Sequence, residues 1–265
     1  MDFVNEHILE VSAYVEDCYI AQTKAFSPLE YPYLKDIIIH HNIKTILDVG
    51  TGEGTFISGL ASMTPEVLYE AIDIDKALIT RAQHKHHLKN LAFKTLLFDP
   101  SFPDVGYDLI TARFAVEHME NIPQFISEAY RRLRNGGLLL MTEYYIDKLD
   151  SANEMWRLFR DKELEFYLKF GSHPSISLEL PKYLYDSGFS GIESIFRHIS
   201  PSTVGVKNFY DLIVSYTRLY GHIEPAIWTG EIKAKIIKYC ENALKKNPDH
   251  EDILLISHTM GRRHR

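Results

Sequence analysis

Three aspartates in the first half of the chain have the placement of a ligand site. Asp48, Asp73 and Asp99 each lie at the end of, or just after, a short run of strand-forming residues. Open α/β sheets bind ligands beyond the carboxyl ends of their parallel strands. There, Asp73 could accept both hydroxyls of a ribose and Asp99 an exocyclic amine of a base. Arg113 and Phe114, after the next predicted strand, would form the far wall. Together these residues predict a nucleoside site.

A glycine-rich turn directly after Asp48 narrows the choice of nucleoside. The turn contains Gly50, Thr51, Gly52 and Gly54 and leads into a predicted helix. Glycines let the backbone turn sharply and approach a ligand closely. The spacing differs from the G-x-G-x-x-G of dinucleotide sites, and an acid at position 48 would repel a pyrophosphate. The turn therefore favours a ligand that has a positive centre and no phosphates, and S-adenosylmethionine is one.

Several motifs resemble those of the class I S-adenosylmethionine-dependent methyltransferases, in particular the small-molecule type. They lie within about residues 43–144, in the stretches 46–54, 71–75, 98–99, 107–110, 116–119 and 128–138. The resemblance implies that Asp73 holds the ribose of the cofactor and that Ile74 packs on its adenine. It also implies that Phe98 and Asp99 contact adenine, beside the turn that holds the rest of the cofactor.

The same resemblance implies methyl transfer by in-line displacement, with S-adenosylhomocysteine as the product. The acceptor would be an oxygen, nitrogen or carbon of a small organic molecule. A hydroxyl acceptor would need a base, and His118, beside Glu117, could take its proton near neutral pH. Tyr144, at the end of the fifth predicted strand, could orient the acceptor. For all three side chains, packing or hydrogen bonding within the core is the simpler interpretation.

Alternative functions and roles stay open. The chain could bind S-adenosylmethionine without catalysis, or it could be a nicotinamide-dependent oxidoreductase, which the glycine spacing and Asp48 disfavour. Asp73 could cap the following helix, and Asp99 could start an Asp-Pro turn. No metal is expected, because the histidines of one predicted surface helix have no carboxylate or thiolate at ligand spacing: His84, His86 and His87.

The composition is that of an ordinary globular protein. The chain has 265 residues and a formal net charge of −7, which argues against a broad nucleic-acid surface. No apolar run is long enough to span a membrane, and the N-terminus lacks a secretory pattern. Two cysteines are too few for a disulfide framework, so a reduced, cytoplasmic protein is expected. The expected partner is a small-molecule substrate, with the protein a monomer or homodimer.

Strands that alternate with helices predict the fold class. They indicate an α/β protein with a doubly wound, mostly parallel, seven-stranded Rossmann-like sheet and right-handed crossovers. Pro28 and Pro32 are expected to separate two N-terminal helices, at 3–25 and 33–41. Gly136 and Gly137 are expected to stop a later helix.

A single methyltransferase domain over 1–265 is predicted, with helices added to the sheet. Its parts are N-terminal helices, a cofactor-binding core, and two helical elaborations that shape the substrate pocket: 1–42, 43–146, 147–180 and 200–250.

Overall fold

The computed structural model describes residues 12–146, 153–246 and 252–264. In this part of the chain a seven-stranded sheet has the strand order β3-β2-β1-β4-β5-β7-β6. The strands are β1 (Thr45–Val49), β2 (Leu68–Asp73), β3 (Leu91–Thr95), β4 (Tyr107–Arg113), β5 (Leu133–Tyr145), β6 (Ser190–Ile199) and β7 (Leu254–Arg262).

Strands β1 to β5 pair in parallel. Strand β7 is antiparallel to β5, because Gly136 pairs with Arg263 near one end and Thr142 contacts His258 further along. The predicted doubly wound, mostly parallel α/β sheet is confirmed.

Nine α-helices accompany the sheet in the described residues. They are α1 (Ser12–His40), α2 (Thr55–Met63), α3 (Lys76–Lys85), α4 (Ile122–Arg132), α5 (Glu154–Lys169), α6 (Leu180–Asp186), α7 (Pro201–Val204), α8 (Val206–Ile223) and α9 (Gly230–Lys245). None of the described helices is long and apolar enough to cross a lipid bilayer.

The chain forms two compact units, each built from three stretches. The first holds the described residues of Met1–Glu30, Ile146–Pro174 and His198–Leu255, and the second those of Tyr31–Tyr145, Ser175–Arg197 and Ile256–Arg265. All five parallel strands lie in the second unit. The single domain over 1–265 stays a prediction.

The central strands of the sheet in the second unit, β1, β4 and β5, are buried on both faces. Consecutive residues of one strand enter different apolar clusters: Ile46 lies in one and Leu47 in the other, and Leu109 and Ile110 divide in the same way. This alternation follows from the two-residue period of a strand. Because both faces are covered by apolar side chains, only the ends of the strands are open to polar chemistry.

Helix α1 runs without interruption through Pro28 and Pro32. The predicted interruption between a helix at 3–25 and a second helix at 33–41 is therefore wrong. Residues 1–11 of the first predicted helix lie outside the described part of the chain. Each proline removes one intrahelical hydrogen bond, at a cost of about 3 kcal/mol. Buried side chains in both halves of the helix, among them Phe26 and Ile38, offset this cost through packing.

Gly136 and Gly137 lie within β5 and do not stop helix α4 as predicted. The helix ends at Arg132 and β5 begins at Leu133. The register between β4 and β5 shifts at this point, which is the signature of a bulge. Gly136 has a φ of +80°, and a Cβ on Gly137 would lie 2.9 Å from a backbone oxygen of Arg134. The bulge therefore explains both glycines.

Candidate functional site

The carboxyl ends of β1 and β2 bring the glycine turn and Asp73 together. The Gly52 N–H donates to Oδ2 of Asp73 at 2.9 Å, and the Asp75 N–H donates to Oδ1 at 2.9 Å. Burial raises the pKa of Asp73, and these hydrogen bonds oppose the increase. Asp75, rather than Asp73, caps helix α3 by accepting from the N–H groups of Ala77 and Leu78. The half-buried Asp73 is thus tied to the turn and is not used as a helix cap.

Protein packing explains two of the three turn glycines. Gly50 and Gly54 have φ values of +74° and +71°. A Cβ at position 50 would lie 2.6 Å from the Ala115 Cβ, and one at position 54 would lie 2.3 Å from a ring carbon of Phe93. The backbone of this turn therefore accommodates neighbouring protein groups as well as any ligand that it contacts.

The backbone N–H groups of the turn are used inside the protein. Those of Gly50 and Thr51 both donate to the Ile72 carbonyl, at 2.9 and 3.0 Å, and that of Gly54 donates to the Thr51 carbonyl. The Gly52 N–H is held by Asp73. A phosphate site at a helix N-terminus depends on such N–H groups pointing at the ligand. Their engagement here supports the argument against a pyrophosphate.

Asp48 is a buried acid directly before the turn. The Thr111 hydroxyl donates to its Oδ1 at 2.7 Å. Burial raises the pKa of Asp48 to about 6, although the Thr111 hydrogen bond and the positive charge of Arg113 act in the opposite direction. Since the carboxyl is still mostly ionised at pH 7, it suits a cationic partner.

Arg113 and Phe114 form a wall after β4. The guanidinium carbon of Arg113 lies 4.1 Å from the ring centroid of Phe56, on α2. Phe114 has a φ of +50°, which is a strained conformation for a residue other than glycine. Its ring stacks on that of Tyr144, with the centroids 4.2 Å apart. Tyr144 is buried and packs within the core, which was the simpler interpretation of this residue. Its role in orienting an acceptor stays a prediction.

The residues predicted to contact adenine follow β2 and β3. Ile74 exposes 41% of its surface, which is high for a large apolar side chain. Phe98 packs its ring in a phenylalanine cluster. Asp99 accepts from the Ser101 hydroxyl at 2.6 Å and from the Ser101 N–H at 2.8 Å, and these bonds lower its pKa. Asp99 thus shapes the Asp-Pro turn, and its contact with adenine stays a prediction.

Glu117 and His118 lie in a 3₁₀ turn, Val116–His118. Glu117 is buried, whereas 55% of the His118 side chain is exposed, with Nε2 3.4 Å from Oε1 of Glu117. Desolvation lowers the pKa of His118, so the imidazole is neutral at pH 7. A neutral imidazole at pH 7 remains able to accept a proton. Both catalytic roles stay predictions.

Glu143 is a residue at this edge that the sequence analysis missed. Its buried carboxyl accepts from the N–H groups of Ala115, at 3.2 Å, and Val116, at 2.8 Å, through Oε1. Burial raises the pKa of Glu143, while these two hydrogen bonds oppose the increase. The available signal was an acid at the end of the apolar run from Leu138 to Met141.

Arg132 is a second residue that the sequence analysis missed. It is fully buried, and its Nη2 donates to the carbonyls of Asp99, at 2.8 Å, and Phe102, at 2.6 Å. It also pairs with Glu128 on the same helix. Arg132 follows Phe125 by seven residues, so it lies on the same, buried face of α4. A charged residue on that face was the signal available in the sequence. The arginine holds the turn that carries Asp99.

Comparisons with known proteins show a similarity to methyltransferases. Residues 47–141 match a methyltransferase domain family. A methyltransferase of Mycobacterium tuberculosis with no characterised activity is 28% identical over 133 residues, covering 49% of this chain and 64% of that protein. A demethylmenaquinone methyltransferase of Deinococcus radiodurans is 28% identical over 107 residues, covering 39% and 44%. The match thus spans less than two thirds of each relative.

Solved structures share the fold at low sequence identity. Phosphoethanolamine N-methyltransferase 2 of Haemonchus contortus, solved with S-adenosylhomocysteine, has a TM-score of 0.56 at 15% identity, over 84% of this chain and 49% of that chain. The [4+2]-cyclase SpnF has a TM-score of 0.54 at 17% identity, over 88% and 80%. Because one of these proteins is a cyclase, the fold alone does not assign the reaction.

Residues 47–141 are thus similar to a methyltransferase domain, and the chain shares its fold with solved methyltransferases, in agreement with the resemblance of its motifs. The residues at the strand ends fit S-adenosylmethionine. The ionised Asp48 suits a cationic ligand, and Asp73 offers carboxylate oxygens to hydroxyl donors. The N–H groups of Gly50, Thr51, Gly52 and Gly54 are engaged within the protein and are not left for a phosphate.

Proposed function

We propose that this chain transfers a methyl group from S-adenosylmethionine to an oxygen, nitrogen or carbon of a small organic acceptor. The observation that carries the proposal is the hydrogen-bonded arrangement of the glycine turn and Asp73 beside the buried Asp48. When bound, S-adenosylmethionine supplies a methyl group already activated by its positively charged sulfur. The protein has to align the acceptor and exclude water.

Each residue at the strand ends has a proposed part in this task. Asp73 holds the ribose hydroxyls, and Asp48 faces the cationic part of the cofactor. Ile74, Phe98 and Asp99 line the adenine. The guanidinium of Arg113 and the ring of Phe114 close the far wall, and His118 takes the proton of a hydroxyl acceptor. An acceptor that is already anionic needs no base.

Isothermal titration of the purified chain with S-adenosylmethionine tests the cofactor assignment. We expect saturable binding with one site per chain. If no heat of binding is detected at millimolar S-adenosylmethionine, the proposal is wrong. Titration with NADH in the same buffer is the comparison, because a preference for NADH would favour the oxidoreductase alternative.

Asp73→Ala should raise the dissociation constant for S-adenosylmethionine about 5- to 150-fold, the equivalent of about 1–3 kcal/mol for orphaned hydrogen-bonding groups. The matched control is Asp108→Ala. Asp108 also accepts two backbone N–H groups, from Lys44 and Thr45, both at 2.9 Å, but it lies at the amino end of β4. The control should lose stability and keep its affinity. Equal affinities in both variants would refute the ribose role.

The affinity for S-adenosylmethionine should fall as the pH drops through about 6, the raised pKa of Asp48. Below that pH the carboxyl is protonated and loses its attraction for a cationic ligand. About tenfold weaker binding at pH 5 than at pH 7 is expected if only the ionised form binds. Asp48→Asn should bind weakly at both pH values. If that variant keeps the pH dependence of the parent, another group is responsible.

A chain that binds the cofactor without transferring its methyl group is the second candidate, since the arrangement of Asp48, Asp73 and the glycine turn accounts for binding alone. Incubation with methyl-deuterated S-adenosylmethionine and a cell extract separates the two. Any labelled small molecule that depends on the chain excludes this candidate. The Asp73→Ala variant, incubated in the same way, measures how much label the extract transfers without a functional copy of this chain.

The remaining predictions concern the acceptor and the setting. The helical elaborations at 147–180 and 200–250 are proposed to contribute to acceptor choice. A cytoplasmic location and a monomeric or homodimeric state are proposed from composition alone.

A further inference from the structure

The segment after β4 is fixed by three consecutive residues of β5. The Phe114 N–H donates to the carbonyl of Thr142 at 2.7 Å. Glu143 accepts from the next two N–H groups along the chain. The Tyr144 ring stacks on that of Phe114. The segment 114–118 therefore takes its conformation from the end of the neighbouring strand.

Glu143 contributes two hydrogen bonds to this segment through its side chain. Its Oε1 satisfies the first two N–H groups of a 3₁₀ turn, those of Ala115 and Val116. Such groups have no partner within a short helical turn. The Val116 N–H lies at a buried position, where an unmade hydrogen bond carries its full desolvation cost. The carboxyl thus acts as a cap supplied from a different strand.

The segment 114–118 packs closely against the glycine turn. The methyl group of Ala115 occupies the space where a Cβ on Gly50 would lie, 2.6 Å away. Gly50 and Ala115 are therefore in close van der Waals contact, and neither can move toward the other. A shift of the segment would alter the packing of the turn that follows Asp48.

We propose that Glu143 is a positioning residue for the cofactor: by capping the turn at Ala115 and Val116 it holds the segment 114–118 against Gly50, so that cofactor affinity depends on a side chain that does not reach the cofactor. The inference rests on the proposed function. In addition to the residues proposed to contact the cofactor, it assigns a role to Glu143, which acts on cofactor affinity through the glycine turn. Burial raises the pKa of Glu143, and both the charged and the protonated carboxyl can accept the two N–H groups.

The test compares Glu143→Ala, which removes the acceptor, with Glu143→Gln, which keeps an oxygen at the same place. Glu163→Ala is the matched control, since Glu163 is equally buried but pairs with Arg160 in the first unit. The probe is S-adenosylhomocysteine, measured by isothermal titration. Thermal unfolding of each variant reports the loss of stability separately.

We expect Glu143→Ala to raise the dissociation constant for S-adenosylhomocysteine about tenfold or more, and Glu143→Gln to stay within about threefold of the parent. Glu163→Ala should lower the melting temperature and leave the dissociation constant unchanged. A folded Glu143→Ala that binds as tightly as the parent overturns the inference. So does an equal loss of affinity in the alanine and glutamine variants, because then the acceptor is not what matters.

Amide hydrogen exchange on the parent protein covers the case in which Glu143→Ala does not fold. Saturation with S-adenosylhomocysteine should slow exchange in a peptide that spans 112–119, because the segment and the cofactor site are coupled. Unchanged exchange in that peptide overturns the inference. If the parent binds no S-adenosylhomocysteine at all, the proposed function fails and this inference falls with it, which distinguishes the two failures.

Discussion

Arg132→Met should lower the free energy of unfolding by about 3–5 kcal/mol, the scale for removing one partner of a buried ion pair. The guanidinium is fully buried and satisfies the carbonyls of Asp99 and Phe102 as well as Glu128. Methionine fills much of the same volume but donates no hydrogen bond. The variant would therefore leave the Phe102 carbonyl without this donor and Glu128 with only the exposed Arg131 as an ionic partner. Urea denaturation followed by circular dichroism measures the change.

The adjacent arginine provides the control for this experiment. Arg131 pairs with the same Glu128 at 3.1 Å, but its side chain is 52% exposed. Arg131→Met should cost about 1 kcal/mol or less, as exposed ion pairs do. Similar losses in the two variants would show that burial of the Arg132 guanidinium contributes little. A loss confined to Arg132→Met would establish it as the anchor of the turn that carries Asp99.

Gly54→Ala should lower the free energy of unfolding by about 2–5 kcal/mol, because two costs add. A left-handed conformation costs a residue with a Cβ about 1–2 kcal/mol, and Gly54 has a φ of +71°. Overpacking of a filled core costs about 1–3 kcal/mol more. The new Cβ would lie 2.3 Å from a carbon of the buried Phe93 ring, so either the turn or the ring has to move.

Gly136→Ala separates the two costs. Gly136 has a φ of +80°, and no atom would lie within 4 Å of its added Cβ. This variant should show the conformational cost alone, about 1–2 kcal/mol. If Gly54→Ala is no less stable than Gly136→Ala, the contact with Phe93 relaxes freely and the turn tolerates a larger residue. Denaturation under identical conditions gives both values.

Local patterns were enough to predict the sheet and the acids at its edge. Apolar runs of strand length, each ending in an acid, define the placement of Asp48 and Asp73 without any knowledge of distant contacts. The chemistry proposed for the turn came from the same residues, because an acid directly before a glycine turn disfavours a pyrophosphate through like-charge repulsion. These parts of the site could be predicted from the sequence.

Long-range packing decided the features that were predicted wrongly or missed. Helix α1 continues through Pro28 and Pro32 because burial along its length outweighs the local preference of proline. The role of Gly136 depends on the register with β4, which is not visible in its own segment. Glu143 and Arg132 were visible as polar residues at apolar positions, but the contacts that give them their roles are with carbonyls and N–H groups of distant turns. Because every residue carries backbone carbonyl and N–H groups (proline lacks the N–H), the sequence does not indicate which of them a buried polar side chain will bind.

The strand order has a consequence for synthesis on the ribosome. Strand β6 leaves the ribosome before β7, yet β7 lies between β6 and β5 in the sheet. While the chain is emerging, β6 therefore has no native neighbour to pair with, and two edges of hydrogen-bonding groups stay open until residues 254–262 arrive. Unpaired edges are sites of faulty association. Of the described strands, β7 is made last, and it joins β6 to the rest of the sheet.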